Sequence, residues 1–173
     1  MAKALFGLGF IFLVIALAGS MDYTVHKSTE NIALPPMGSA TGWEPLPIPD
    51  VMGLIDVDVT ADWEGDVYWL GVTSKEEAQR CDPDTKTRVS LTCSGNDIDF
   101  EVGGPSAAGS AINWNVESGE WYACVGQNSG TFGQTSELSV NLHATASLAP
   151  TAFTALLGLS GAMMLLGLFL RKS

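Results

Sequence analysis

The sequence predicts an all-β fold: a single antiparallel β-sandwich of about seven to eight strands, with an apolar helix on either side. Three observations predict it. Between residues 51 and 145, apolar side chains recur at every second position in short runs separated by Gly, Asp, Asn and Ser. Two uncharged apolar stretches, Ala4 to Gly19 and Thr151 to Leu170, lie outside that region. All 19 acidic residues lie between those stretches.

Residues 1–20 combine a basic start at Lys3, an apolar run from Leu5 to Ala18, and Ala16-Leu17-Ala18 at its end. That order fits a secretory signal with an A-x-A cleavage site, and the run is also nearly long enough for a retained transmembrane helix. Both readings stand, and both export the acidic segment beyond residue 20. Residues 21–50 hold Pro35, Pro36, Pro45, Pro47 and Pro49, with Gly38, Ser39, Thr41 and Gly42 between them. Proline breaks helices and interrupts strand ladders, so this stretch is expected to be an extended linker.

The exported domain spans 51–145. Ile55, Val57 and Val59 alternate with Asp56, Asp58 and Thr60, and Val89, Leu91 and Cys93 with Ser90 and Thr92. The same alternation recurs at Ile98, Phe100 and Val102, at Ile112, Trp114 and Val116, and at Leu138, Val140 and Leu142. Period two means one buried face and one wet face. Val67 to Leu70 and Trp121 to Val125 are nearly continuous, apolar on both faces. Ser94-Gly95-Asn96 and Ser118-Gly119 predict tight hairpin connections. One short helix is expected from Ser74 to Arg80, with Ser74 as cap and Glu76 and Glu77 facing the positive end of the helix dipole.

Residues 151–170 carry no charge and rise about 30 Å as a helix, enough to cross a hydrocarbon core. Residues 171–173 form a short tail. Arg171 and Lys172 place that tail in the cytoplasm by the positive-inside rule, and Lys3 does the same for the first segment. Gly158 and Ala162 offer a small-xxx-small seat for a helix partner.

The exported segment has five basic residues (Lys27, Lys75, Arg80, Lys86 and Arg88) against nineteen acidic ones, a formal charge of −14. Such a surface repels phosphate backbones, which excludes nucleic acid as a partner. Cys81, Cys93 and Cys124 all lie in this segment, where a disulfide can form. Cys93 and Cys124 are the candidate pair. The odd count leaves one thiol over, and which two pair stays open. No C-x-x-C is present, and neither His26 nor His143 lies near a cysteine, so zinc is not implied.

Catalytic residues are not expected. His26 falls in the linker and His143 on the wet face of the last strand, and neither has a nucleophile beside it. Gly103-Gly104-Pro105 is a turn with no following helix or Lys, so it is no phosphate loop. No cofactor motif or small-molecule site emerges. Acidic pairs at Asp56, Asp58 and Asp62, at Asp97 and Asp99, and above all Asp82-Pro83-Asp84 have oxygens for calcium, without the spacing of a known loop.

Asn96-Asp97-Ile98-Asp99-Phe100-Glu101-Val102 with Gly104-Pro105-Ser106, then Gly119 to Asn128 and Ser136 to Leu142, resemble strands of the GOLD (Golgi dynamics) sandwich. That resemblance covers residues 96–143. It implies a lumenal β-sandwich on a single-span membrane protein. The receptors that carry it have a coiled coil before the membrane, and this chain has no room for one, so the fold is carried over and the trafficking role is not. Arg88 to Gly95 and Ser118 to Cys124 also resemble the B and F strands of immunoglobulin domains. Asp97 to Gly126 resembles the jelly-roll domains of secreted prokaryotic peptidases. Pro150, the apolar stretch and the basic tail are similar to prokaryotic surface-sorting signals, without their diagnostic tripeptide.

The expected function is therefore a membrane-anchored, extracytoplasmic, non-catalytic module that binds a protein partner or assembles a complex. A structural cell-envelope protein and a calcium-binding adhesion domain are the alternatives. The implied partners are the lipid bilayer and another protein.

Overall fold

Neighbouring side chains in a strand point to opposite faces, so Tyr68 and Trp69 can both be buried only in a sheet covered on both sides. A computed structural model, which describes residues 2–32, 39–48, 53–65, 67–107, 110–128 and 138–172, shows that arrangement. The described residues form α1 (Ala2–Gly19), β1 (Tyr23–Ile32), β2 (Ser39–Ile48), β3 (Ile55–Trp63), β4 (Tyr68–Ser74), α2 (Lys75–Cys81), β5 (Val89–Ser94), β6 (Phe100–Gly103), β7 (Ala111–Asn115), β8 (Gly119–Gln127), β9 (Leu138–Leu148) and α3 (Pro150–Lys172). One antiparallel sheet has the order β1-β9-β3-β7 and the other β5-β2-β8-β4-β6. The fold is thus a β-sandwich with nine described strands and three helices, rather than strictly all-β with seven or eight.

The chain falls into two compact units. The larger holds α2 and most of the strands; the other holds α1, α3 and residues 53–57 and 145–148. In the larger unit, Ala61, Trp63, Ile112, Leu138 and Val140 from one sheet meet Tyr68 and Val125 from the other. Trp63 donates from Nε1 to the Tyr68 carbonyl at 3.2 Å, which satisfies its buried polar atom. The opposite face of the five-stranded sheet is covered by α2. There Ala40, Trp43, Trp69, Cys93, Ile98 and Cys124 pack with Ala78 and Cys81. Burying each large aromatic contributes about 2–3 kcal/mol. The continuous apolar runs in β4 and β8 have the same cause, since both faces of these inner strands are covered.

The α2 boundaries match the sequence signals. Ser74 Oγ accepts from the Glu77 N–H at 3.3 Å, Glu76 and Glu77 occupy the first turn, and Asp82 closes the helix at φ 41°. Between β4 and β6, Gly71 has no room for a side chain, because a Cβ there would lie 2.5 Å from the Phe100 ring.

The expected linker at 21–50 is corrected: β1 and β2 lie within it. Pro45 and Pro47 sit two apart, so both missing N–H groups face one side of the backbone. The half of β2 that carries them pairs with β8 alone, Pro45 opposite Tyr122 and Pro47 opposite Glu120, while β5 pairs only at Ser39 and Thr41. Proline is tolerated on such an open edge. A register shift between Thr41 and Glu44, with Gly42 at φ 97°, hides the period of two. Pro35, Pro36 and Pro49 lie outside the described residues.

Both expected hairpins are corrected as well. Gly95–Asp97 is a 3₁₀ turn joining β5 to β6, which occupy opposite edges of the five-stranded sheet. Ser118-Gly119 leads from β7 in one sheet to β8 in the other. Turn residues mark where a chain reverses; they do not determine which strands pair.

In the smaller unit, α1 and α3 pack antiparallel. Lys3 and Phe6 line one end with Gly167, Leu168 and Arg171, and Leu148 lies against Gly19 at the other. Between them, a Cβ on Gly9 would come within 2.9 Å of the Ser160 carbonyl, and Ser160 Oγ donates to the Gly9 carbonyl at 2.8 Å. Gly158 has open space around it, so this helix contact is made at Ser160, Met163 and Met164 rather than at the Gly158–Ala162 pair. By length and composition α3 can cross a membrane over Pro150–Arg171, while α1 is shorter. Leu165, Leu166 and Phe169 of α3 are exposed, unlike the apolar residues of a soluble protein's core helix.

Candidate functional site

The candidate pair Cys93–Cys124 is corrected: the disulfide joins Cys81 to Cys93, with 5.2 Å between their Cα atoms. The end of α2 brings Cys81 onto β5, whereas Cys124 lies on β8 as a free, buried thiol. Burial pushes the Cys124 thiol up to about 12, so it stays protonated and unreactive at neutral pH.

The bridge shapes the edge of the five-stranded sheet. Ser90 Oγ donates to the Cys81 carbonyl at 2.5 Å, Thr92 Oγ1 bonds the same oxygen, and the Cys93 N–H donates to Ser90 Oγ at 3.0 Å. Ser90 is therefore buried, and the expected face of β5 is inverted at its centre. Leu91 is 90% exposed. β5 is the terminal strand of its sheet. At its start Arg88 reaches Glu44 of β2 at 2.9 Å.

Of the acidic residues considered for calcium, Asp84 and Asp97 each have one carboxylate oxygen engaged by the protein. Asp84 Oδ1 accepts from the N–H groups of Lys86 and Thr87 and from Thr87 Oγ1, bonds that hold its carboxyl below the ordinary range. Asp97 Oδ2 accepts from Ser94 Oγ at 2.7 Å and Ser94 N–H at 3.0 Å, with the same effect. Arg80 lowers Glu77 through a forked hydrogen bond. Among the described residues, no three His, Cys, Asp or Glu side chains converge on one point.

The outer face of the four-stranded sheet carries a ladder of polar pairs. Thr60 Oγ1 donates to Asn113 Oδ1 at 2.8 Å, and Asn115 Nδ2 to Asp58 Oδ1 at 3.1 Å. Across β1, β9 and β3, Ser28 Oγ donates to Asn141 Oδ1 at 2.9 Å and Asn141 Nδ2 to Asp62 Oδ2 at 3.0 Å. Asp62 Oδ1 lies 3.5 Å from His143 Nε2, and His143 Nδ1 faces His26 Nδ1. This cluster joins both histidines of the chain, 117 residues apart. Sequence reasoning missed it because it requires β1, which has only scattered apolar residues and no period of two.

Of the charges expected to orient the protein, Lys3 and Arg171 share one end of the helix pair. The Lys172 side chain lies outside the described part.

No protein-family model matches the chain, and no curated protein matches it. Among solved structures, the chain is similar to the Aeromonas hydrophila periplasmic inhibitor of g-type lysozyme, PliG, at 8% identity and a TM-score of 0.35, covering 75% of this chain and 90% of that one. It is also similar to a chain of the Kashmir bee virus empty particle at 8% identity and 0.38, covering 75% and 93%. A third is a chain of Bacillus endospore appendages, at 9% and 0.32, covering 76% and 94%. None of these is a GOLD domain, and likenesses this distant carry no argument about function.

Proposed function

We propose that the protein is a membrane-anchored, non-catalytic module whose sandwich lies outside the cytoplasm and binds or assembles with a protein partner along the β5 edge. The observation that carries the reading is Leu91, 90% exposed on a terminal strand. An outer strand with an outward apolar side chain is suited to strand addition, in which main-chain hydrogen bonds give affinity and side-chain pockets give specificity. Anchoring is supported by the length and exposed apolar surface of α3. Retention of α1 as a second membrane helix is supported by its contact with α3 at Gly9 and Ser160. Orientation is supported by Lys3 and Arg171 at a common end of that pair, which the positive-inside rule assigns to the cytoplasm.

The test is purification of the full chain in mild detergent from its native membranes, alongside Leu91→Asp. The wild type retains one protein at fixed stoichiometry. Leu91→Asp loses it with an unchanged thermal melt, because the residue is exposed and an exposed substitution shifts stability by less than about 0.5 kcal/mol. Equal retention by both chains rejects the β5 edge. Self-assembly with no second protein turns the reading toward a structural envelope component.

A further inference from the structure

We propose that His26 and His143 form a two-imidazole clamp for a borderline divalent cation such as zinc, on the outer face of the four-stranded sheet, with Asp62 as the positioning residue. β1 and β9 are neighbours in that sheet, and both imidazoles are exposed and aim the same nitrogen, Nδ1, at each other. Their rings meet edge to face with centroids 4.6 Å apart. Two nitrogens converging on one point can share one proton, or both can present lone pairs to an ion.

The surroundings favour the second use. A coordinating imidazole is neutral, and its other nitrogen carries the proton, commonly directed at a carboxylate. Asp62 Oδ1 lies on that other side, 3.5 Å from His143 Nε2, and so favours the tautomer that leaves Nδ1 free. The carboxylate is itself held, since Asn141 donates to Oδ2 and Ser28 donates to Asn141. This gives the carboxylate–histidine order of a metal site's outer shell.

Zinc–imidazole bonds are about 2.0–2.1 Å, so a tetrahedral ion needs the two nitrogens roughly 3.3 Å apart. Both side chains are exposed and can part by rotation about their own bonds, without backbone movement. Nitrogen donors select zinc, copper or nickel over calcium or magnesium. The strongly acidic chain raises the local cation concentration. Since no third His, Cys, Asp or Glu among the described residues reaches the same point, water completes the coordination, and the affinity is weaker than that of a closed four-ligand structural site.

The experiment is calorimetric titration of the detergent-solubilised full chain with zinc chloride alone. The wild type shows one saturable site that excess calcium chloride does not displace. His26→Ala and His143→Ala each weaken it at least tenfold with unchanged melting, and Asp62→Asn weakens it about tenfold. In ¹⁵N spectra of the imidazoles, zinc shifts Nδ1 of both rings most. No saturable heat, or equal affinity in either alanine variant, overturns the clamp. Unchanged affinity in Asp62→Asn overturns the positioning role.

Discussion

Removing the Cys81–Cys93 bridge should destabilise the sandwich by about 3 kcal/mol. The two cysteines are 12 residues apart, and closing a loop of that length removes about 10 cal/mol/K of entropy from the unfolded chain, or roughly 3 kcal/mol at 25 °C. The assay is urea unfolding of the full chain in detergent, followed by tryptophan fluorescence. All five tryptophans report on the sandwich, and Trp43, Trp63, Trp69 and Trp114 are buried in it. With a urea slope of about 2 kcal/mol/M, the midpoint of Cys81→Ala/Cys93→Ala falls by about 1.5 M. Wild type under reducing conditions falls by the same amount. Cys124→Ala deletes one buried sulfur from the layer under α2 and lowers the midpoint by about 0.5 M. Alkylation gives an independent reading. The folded, unreduced chain takes no label, because burial keeps the Cys124 thiol protonated, and unfolding without reduction exposes one thiol. A Cys93–Cys124 peptide in the unreduced digest would refute the pairing. A Cys124→Ala loss as large as that of the double variant would refute the energetic argument.

Ser160→Val removes the hydrogen bond to the Gly9 carbonyl and should weaken the α1–α3 pair by about 0.6–1.7 kcal/mol, while Gly9→Leu drives a side chain into Ser160, Met163 and Met164. Cysteines at Phe6 and Leu168, which line one end of the pair, should crosslink in membranes, less in Ser160→Val and not at all in Gly9→Leu; a mature mass lacking residues 1–20 would refute retention of α1. The Asp97 carboxylate has its pKa lowered on folding by Ser94 Oγ–H first and the Ser94 N–H second, so its contribution is complete above the unfolded value near 4 and is lost as pH falls through the lower folded value. Asp97→Asn should accordingly show its largest midpoint deficit against wild type at pH 5–7, narrowing below about pH 4 in urea titrations; a deficit independent of pH would exclude the carboxylate as its source.

What could be read in advance was whatever a local pattern determines. β3, β7 and β9 alternate, β4 and β8 are continuously apolar, and α2 begins with a Ser–Glu–Glu cap, so each announces itself within ten residues. β2 does not, since Gly42 interrupts its period and two prolines imitate a linker, although their spacing of two is the mark of an open edge. β1 carries polar residues at most positions, and its pairing with β9 is what brings His26 to His143 and Asp62. The disulfide failed for a related reason. Cys124 sits at an inward position of β8 in the same layer as Cys93, but the partner comes from the end of a helix, and alternation says nothing about where a covering helix ends.

The covering of the five-stranded sheet also narrows where a partner can bind. One face packs against the other sheet and α2 packs over β4, β5 and β8 on the opposite face, so pairing through main-chain hydrogen bonds is left to the margins. Exposed edges invite pairing with foreign chains, and proteins blunt them with short strands, proline or charge. The β6 margin is only four residues long. The open half of β2 carries Pro45 and Pro47. β5, from Val89 to Ser94, has neither proline nor charge, and it turns Leu91 outward because Ser90 is drawn in by the Cys81 carbonyl, to which the exposed Thr92 also bonds. The same disulfide that staples α2 to the sheet therefore determines which side of the edge strand is presented. On this account, loss of the bridge should weaken partner retention as well as stability, and it should do so at urea concentrations where the sandwich is still folded.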